Sequence, residues 1–110
     1  MSKIYNIHIT IQQCPNNVHY TLILALRDIW PLEFERYNTE FSDLYISGNS
    51  TLDKPMNFLI EEISEKIWST LKKFHPIIID PTLLYEEEPK LYFLNKTDYL
   101  NMLHKKLNLD

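Results

Sequence analysis

Residues 53–76, DKPMNFLIEEISEKIWSTLKKFHP, form the clearest amphipathic pattern in the chain. Asp53 is a suitable N-cap, Pro55 is tolerated in a first helical turn, and Pro76 cannot continue a helix. The pattern therefore predicts a long helix over about 54–74. Its apolar residues recur at steps of three and four and share one face: Met56, Leu59, Ile60, Ile63, Ile67, Trp68, Leu71 and Phe74. Such a broad apolar stripe must pack on other elements, and the neighbouring strands are the candidates.

Alternating apolar and polar residues predict a first strand over 3–12, KIYNIHITIQ. Further strands are expected at 43–47, at 77–79 and at 90–94, the first ended by a turn at Gly48 to Ser50 and the second broken by Asp80 and Pro81. Residues 29–43 have no regular period and predict an irregular connection. Thr97 and Asp98 predict the cap of a short C-terminal helix that presents leucines on one face.

The segment 18–29 fits two structures. As a strand it alternates, and pairing Ile11 with Val18 would place His8 and His19 together on one polar face. As a helix it has Asn17 as a cap and Pro31 as a terminator, and the chain then follows a ferredoxin-like βαββαβ order. We favour the strand for this mutual consistency, and the helical alternative stays open.

These elements predict an α+β fold with a mixed or antiparallel sheet of four to five strands, the long helix packed on one face and the short helix at the end. With 110 residues, the size prior indicates a single globular domain over 1–110.

Composition excludes several classes of function. A single glycine is incompatible with the glycine-rich loops that bind phosphates and dinucleotides. A formal charge of −4 disfavours direct binding of nucleic acid, and one cysteine provides neither an internal disulfide nor a metal framework. We see no signal-peptide pattern and no apolar run long enough for a membrane span, so we expect a cytoplasmic protein without membrane contact, cofactor or metal.

Few residues suggest chemistry. His8 and His19 would form a polar face able to share a ligand, which gives one hypothesis: a small enzyme or ligand-binding protein. Cys14 lies in a turn without a neighbouring positive charge, so we expect an unreactive thiol. No serine lies in a nucleophile elbow.

Two acidic clusters provide the stronger indication. Residues 28–43 hold five acids and one base, and residues 80–88 hold four acids and no base. Carboxylates beside large aromatic residues are typical of a docking surface for a basic protein. The predicted contact residues are Trp30, Glu33, Glu35, Asp80, Tyr85, Glu86, Glu87 and Glu88.

The sequence therefore favours a non-catalytic binding protein, an acidic inhibitor or an immunity or antitoxin-type protein that neutralises a basic partner such as a nuclease toxin or a nucleic-acid-handling complex. A homodimer is also compatible with the pattern.

Overall fold

A computed structural model describes residues 3–83 and 91–107. Its strands are β1 (Lys3–Ile11), β2 (Phe34–Asn38), β3 (Asp43–Leu52), β4 (Ile77–Leu83) and β5 (Tyr92–Leu94). Its α-helices are α1 (His19–Arg27), α2 (Met56–Leu71) and α3 (Lys96–Leu107), and a 3-10 turn (Asn16–Val18) precedes α1. The predicted α+β class is confirmed.

The described strands form one antiparallel sheet in the order β2-β3-β1-β4-β5. From β1 to β4 the chain runs strand, helix, strand, strand, helix, strand, with β1 and β3 at the centre. This connectivity is the ferredoxin-like alternative, extended by β5 at one edge and by α3.

One apolar cluster joins the sheet to the helices. Ile7, Ile9 and Ile11 of β1 are fully buried, whereas Ile4 and His8 on its other side are exposed. Helices α1 and α2 contribute buried side chains to the same cluster, and α3 adds Tyr99, whose ring meets that of Trp68 edge-on at 5.4 Å. The helices thus cover one face of the sheet.

The interpretation of 18–29 as a strand is wrong. Both sides of β1 are occupied, by β3 and by β4, so a hairpin partner after Ile11 has no position in the sheet. In α1 the buried residues are Leu22, Ile23 and Leu26, which follow helical spacing, while Tyr20 and Leu24 of the alternating pattern are exposed.

Three other boundaries also differ from the prediction. Residues 48–50 lie inside β3 instead of forming a turn, and Asp80 and Pro81 lie inside β4 instead of ending it. Pro81 is tolerated because β5 pairs only with the first part of β4, so Pro81 lies beyond the doubly paired stretch. The supposedly irregular segment 29–43 contains β2.

The helix ends also differ in detail. Helix α2 starts at Met56 after Pro55, without a side-chain cap, and ends where Lys72 turns left-handed with φ 61°. Asn95 rather than Thr97 caps α3: its Oδ1 accepts from the Asp98 N–H at 3.1 Å, and Asp98 Oδ2 accepts from the Asn95 N–H at 2.9 Å. This reciprocal pair is a capping box.

The single glycine sits where two backbone segments touch. A Cβ placed on Gly48 would lie 2.0 Å from the Pro31 carbonyl oxygen, because the segment after α1 crosses β3 at this residue. The Trp30 indole N–H donates to the Gly48 carbonyl at 2.9 Å, and this hydrogen bond holds the two segments together. Within the described residues, no helix is long and apolar enough to cross a bilayer.

We expect Gly48→Ala to destabilise the protein by about 2 kcal/mol or more, since the new methyl group meets backbone that cannot rotate away. Urea unfolding of the variant would show a lower midpoint than that of Thr51→Ala, an exposed position in the same strand. Equal midpoints would contradict the close approach.

We also expect a specific loss of stability in acid. Burial lowers the pKa of His75 below its ordinary value of 6.5, and Lys73 acts in the same direction. Its Nδ1–H donates to the Gln12 carbonyl at 3.3 Å, while Nε2 is buried without a partner, so protonation would bury a charge and an unpaired N–H.

The folded state therefore favours the neutral imidazole. The resulting stabilisation is complete at pH values above the pKa of His75 in the unfolded chain, and it declines as the pH falls from there toward the pKa of His75 in the folded protein. Comparing the free energy of unfolding near pH 7.5 with that near pH 5.5, we expect a smaller loss for His75→Asn than for wild type. His8→Gln, at an exposed position, should retain the wild-type loss; the same loss in both variants would contradict the assignment.

Candidate partner-binding surface

One face of the sheet is left uncovered by the described residues. It carries the side chains that alternate with the core residues, and each of those whose exposure the structure describes is at least partly exposed. Phe34 on β2 and Phe93 on β5 lie near opposite edges and are 59% and 64% exposed. Between them the central strands present polar groups, including His8, Thr10 and Ser47. Apolar residues that are exposed singly are ordinary on a protein surface, so these two aromatics do not by themselves define an interaction surface.

Strand β2 forms one edge of this sheet. It pairs with β3 on one side, and no described strand pairs with its other side. Because side chains alternate, Phe34 and Arg36 point to the uncovered face, whereas Glu35 and Tyr37 point to the helix side with their partners Ile46 and Leu44. An edge strand presents unpaired backbone N–H and C=O groups that can accept another strand.

A small hollow lies between this edge and α1. Its volume is about 100 Å³, and the buried side chains of Ile23, Leu32 and Ile46 lie at its floor, while most of its exposed lining is polar. Arg27, Glu33, Phe34 and Glu35 complete its lining. We call this hollow together with β2 the β2 surface.

The charges of the β2 surface are available to a partner. Glu33 and Glu35 are both exposed, and neither forms an ion pair with a described residue. Elsewhere, the described ion pairs join Lys54 to Glu62 and Lys105 to Glu61. The carboxylates flanking Phe34 can therefore receive a basic side chain without first breaking a pair.

The predicted contact residues are only partly brought together. Glu33 and Glu35 lie on the β2 surface, but Asp80 lies three strands away on the uncovered face, a distance of roughly 14 Å at ~4.8 Å per strand. Tyr85, Glu86, Glu87 and Glu88 lie outside the described residues. The sequence interpretation missed Phe34 and the hollow; alternation in the short run EFERY was the available signal for β2.

Trp30 is not the partner anchor that was predicted. It is 2% exposed, and its indole N–H is already used by the Gly48 carbonyl. The prediction is wrong because Trp30 follows directly on α1, where the chain turns back over β3 and places the indole in the core.

The proposed histidine face does not exist. His8 lies on the uncovered face, while His19 begins α1 on the helix side and stacks on Tyr37 at 5.3 Å. His8 instead has Ser47 opposite it on β3 and Asp80 opposite it on β4. This row contains the residue types of an acyl-transfer triad, but none of its side chains is hydrogen-bonded to another.

The cysteine is also unsuited to nucleophilic chemistry. Cys14 is buried beside the 3-10 turn, and burial raises the pKa of its thiol to about 11. The thiol therefore stays protonated near neutral pH, as expected from the sequence. Among the described residues, no group of three or more His, Cys, Asp or Glu side chains is arranged to hold a metal ion.

A further cleft of about 250 Å³ separates α2 from α3. Its apolar lining comes from Ile60, Trp68, Leu94 and Met102. The charged residues Glu61 and Lys105 at this cleft are already paired with each other at 2.6 Å. It therefore offers less unpaired charge to a partner than the β2 surface does.

Comparisons of the chain with protein-family models, with curated proteins and with solved structures found no match. The assignment of a function therefore depends on the surfaces described above.

We expect Asp80→Thr to leave the protein equally stable or to stabilise it by up to about 1 kcal/mol. One carboxylate oxygen of Asp80 is buried without a hydrogen-bond partner, and threonine suits a strand while removing that oxygen. Thermal unfolding of the variant measures the effect, with Thr10→Ser as a control on the same face. A clear loss of stability would show that Asp80 makes a favourable interaction.

Proposed function

We propose that this protein is a non-catalytic binding protein that neutralises a basic protein partner, in the manner of an acidic inhibitor or an immunity or antitoxin-type protein. The observation that carries the proposal is the exposed Phe34 on an edge strand, adjacent in sequence to Glu33 and Glu35, neither of which forms an ion pair with a described residue. The aromatic ring supplies apolar contact area, and the carboxylates supply complementary charge.

The charge of the surrounding chain supports the same kind of partner. Residues 28–43 carry five acids and one base, and the whole chain has a formal charge of −4. A field of this sign speeds encounter with a basic protein and repels nucleic acid. A basic nuclease toxin, or a basic subunit of a nucleic-acid-handling complex, has the required charge.

The described chemistry supports binding better than catalysis. The thiol is buried and protonated, and the row of Ser47, His8 and Asp80 lacks the hydrogen bonds that would activate a nucleophile. The uncovered face and the β2 edge, in contrast, are already accessible to a macromolecule.

Charge reversal on the β2 surface tests the proposal. We expect the double variant Glu33→Lys, Glu35→Lys to weaken capture of its partner about tenfold or more and to reduce the salt dependence of binding. Capture is measured with tagged protein at low salt, with mass spectrometry of the bound proteins, followed by titration of the purified partner.

The matched control is Glu61→Lys, Glu62→Lys, which changes the net charge equally at two exposed positions of α2, outside residues 28–43. A basic protein captured by wild type and by the control, and lost with the β2 variant, supports the proposal. Equal binding by all three proteins, or a captured partner that is acidic, contradicts it. A separate variant with Glu86, Glu87 and Glu88 changed to lysine tests the second acidic cluster.

A further inference from the structure

We infer that the partner is bound by strand addition: an extended segment pairs with the free edge of β2 and inserts a lysine into the hollow beside α1. This inference rests on the proposed function and specifies the chemistry of the segment that is recognised. Its basis is the combination of a strand edge that no described strand covers, a hollow next to that edge with three apolar side chains at its floor, and two rim carboxylates that pair with no described residue. Peptide recognition at a sheet edge uses backbone hydrogen bonds for affinity and pockets for side-chain selection.

The edge geometry determines how the segment presents its side chains. In an added strand, successive residues point alternately to the helix side and to the uncovered face. Residues on the helix side meet the hollow, with Glu33 and Glu35 at its rim; residues on the other side meet Phe34. The matching segment therefore alternates basic and apolar residues.

The hollow suits a lysine in particular. Ile23, Leu32 and Ile46 lie at its floor. Its lining holds two acids, Glu33 and Glu35, against one base, Arg27, so the hollow is acidic on balance. A lysine can bury its methylene stem there while its ammonium group reaches the carboxylates at the rim. A fully apolar side chain would fill the floor but leave both carboxylates unpaired.

A second copy of this chain fits the edge poorly. In an antiparallel pair related by a two-fold axis perpendicular to the sheet, residues on the same face oppose one another. Centring such a pair on Glu35 sets Glu35 against itself, and centring it on Arg36 sets Arg36 against itself. Centring it on Phe34 sets Glu33 against Glu35. Like charges directly opposite each other destabilise a strand pair, so these three registers are disfavoured. A pair centred on Tyr37 opposes no like charges, but it uses only Arg36, Tyr37 and Asn38 of β2 from each copy.

Four synthetic peptides separate the components of the inference. The first is the capped pentapeptide Val-Lys-Val-Lys-Val, and the second carries N-methyl groups on alternate residues so that it cannot form a ladder. In the third, 2,4-diaminobutyric acid replaces lysine, which keeps the charge near neutral pH but halves the methylene stem. In the fourth, glutamate replaces lysine. Binding is followed by the backbone amide NMR signals of the isotope-labelled full chain.

We expect the lysine peptide to shift the amide signals of residues 33–38 and to slow their hydrogen exchange. The N-methylated peptide should bind about tenfold more weakly or worse, because it loses several backbone hydrogen bonds. The diaminobutyric acid peptide should bind more weakly than the lysine peptide, since its shorter side chain fills less of the hollow. The glutamate peptide should not bind.

The outcomes distinguish failure of the inference from failure of the proposed function. Suppose that the methylated and unmethylated lysine peptides bind equally well, and that the double variant Glu33→Lys, Glu35→Lys weakens the binding of both. Strand addition would then be wrong, while docking of a basic partner would still be supported. Equal binding of the lysine and glutamate peptides would contradict the basic partner but retain strand addition. No shift in residues 33–38 at millimolar lysine peptide, or a concentration-dependent dimer that pairs through β2, would overturn the inference.

Discussion

Strand β1 pairs with β3 along one side and with β4 along the other, while its inner residues Ile7, Ile9 and Ile11 are removed from water beneath the helices. Each buried isoleucine contributes about 1.5–3 kcal/mol, but only if both neighbouring strands and both crossing helices are in place. This constraint explains why the segment after β1 cannot return as a hairpin. It also places both helical crossovers on one side and leaves the other side of the sheet uncovered.

The same arrangement produces the β2 surface, for which we propose a binding role. With β1 and β3 at the centre, β2 lies at an edge, and α1 crosses above it at a distance that leaves a hollow. Gly48 allows the segment after α1 to cross β3 closely, and Trp30 fixes that crossing. The residues that immediately follow, including Glu33 and Phe34, are thereby held at a defined position beside the edge. A tight packing interaction in the core thus positions the exposed β2 surface.

Local patterns predicted several elements well. The long helix was predicted over about 54–74 and is observed at Met56–Leu71, with Leu59, Ile60, Ile63, Ile67 and Trp68 buried as expected. The alternation of β1 was equally clear. The candidate site was predicted only in part: Glu33 and Glu35 lie together, whereas Asp80 lies far from them and Trp30 is buried. Spacing along the chain does not show which strands become neighbours, so it could not group these residues.

The sequence by itself determined the amphipathic α2, the alternating β1 and the acidic charge, because each depends on residues close together in the chain. Only the tertiary structure decided that 18–29 is helical, that β3 runs through Gly48 and that β2 is an edge strand. These features depend on pairing between residues far apart in sequence, such as His8 with Ser47 and with Asp80. The apolar residues of 18–29 fit both a strand period and a helix period, so local propensity does not decide between the two. The segment is helical because β3 and β4 already occupy both positions beside β1.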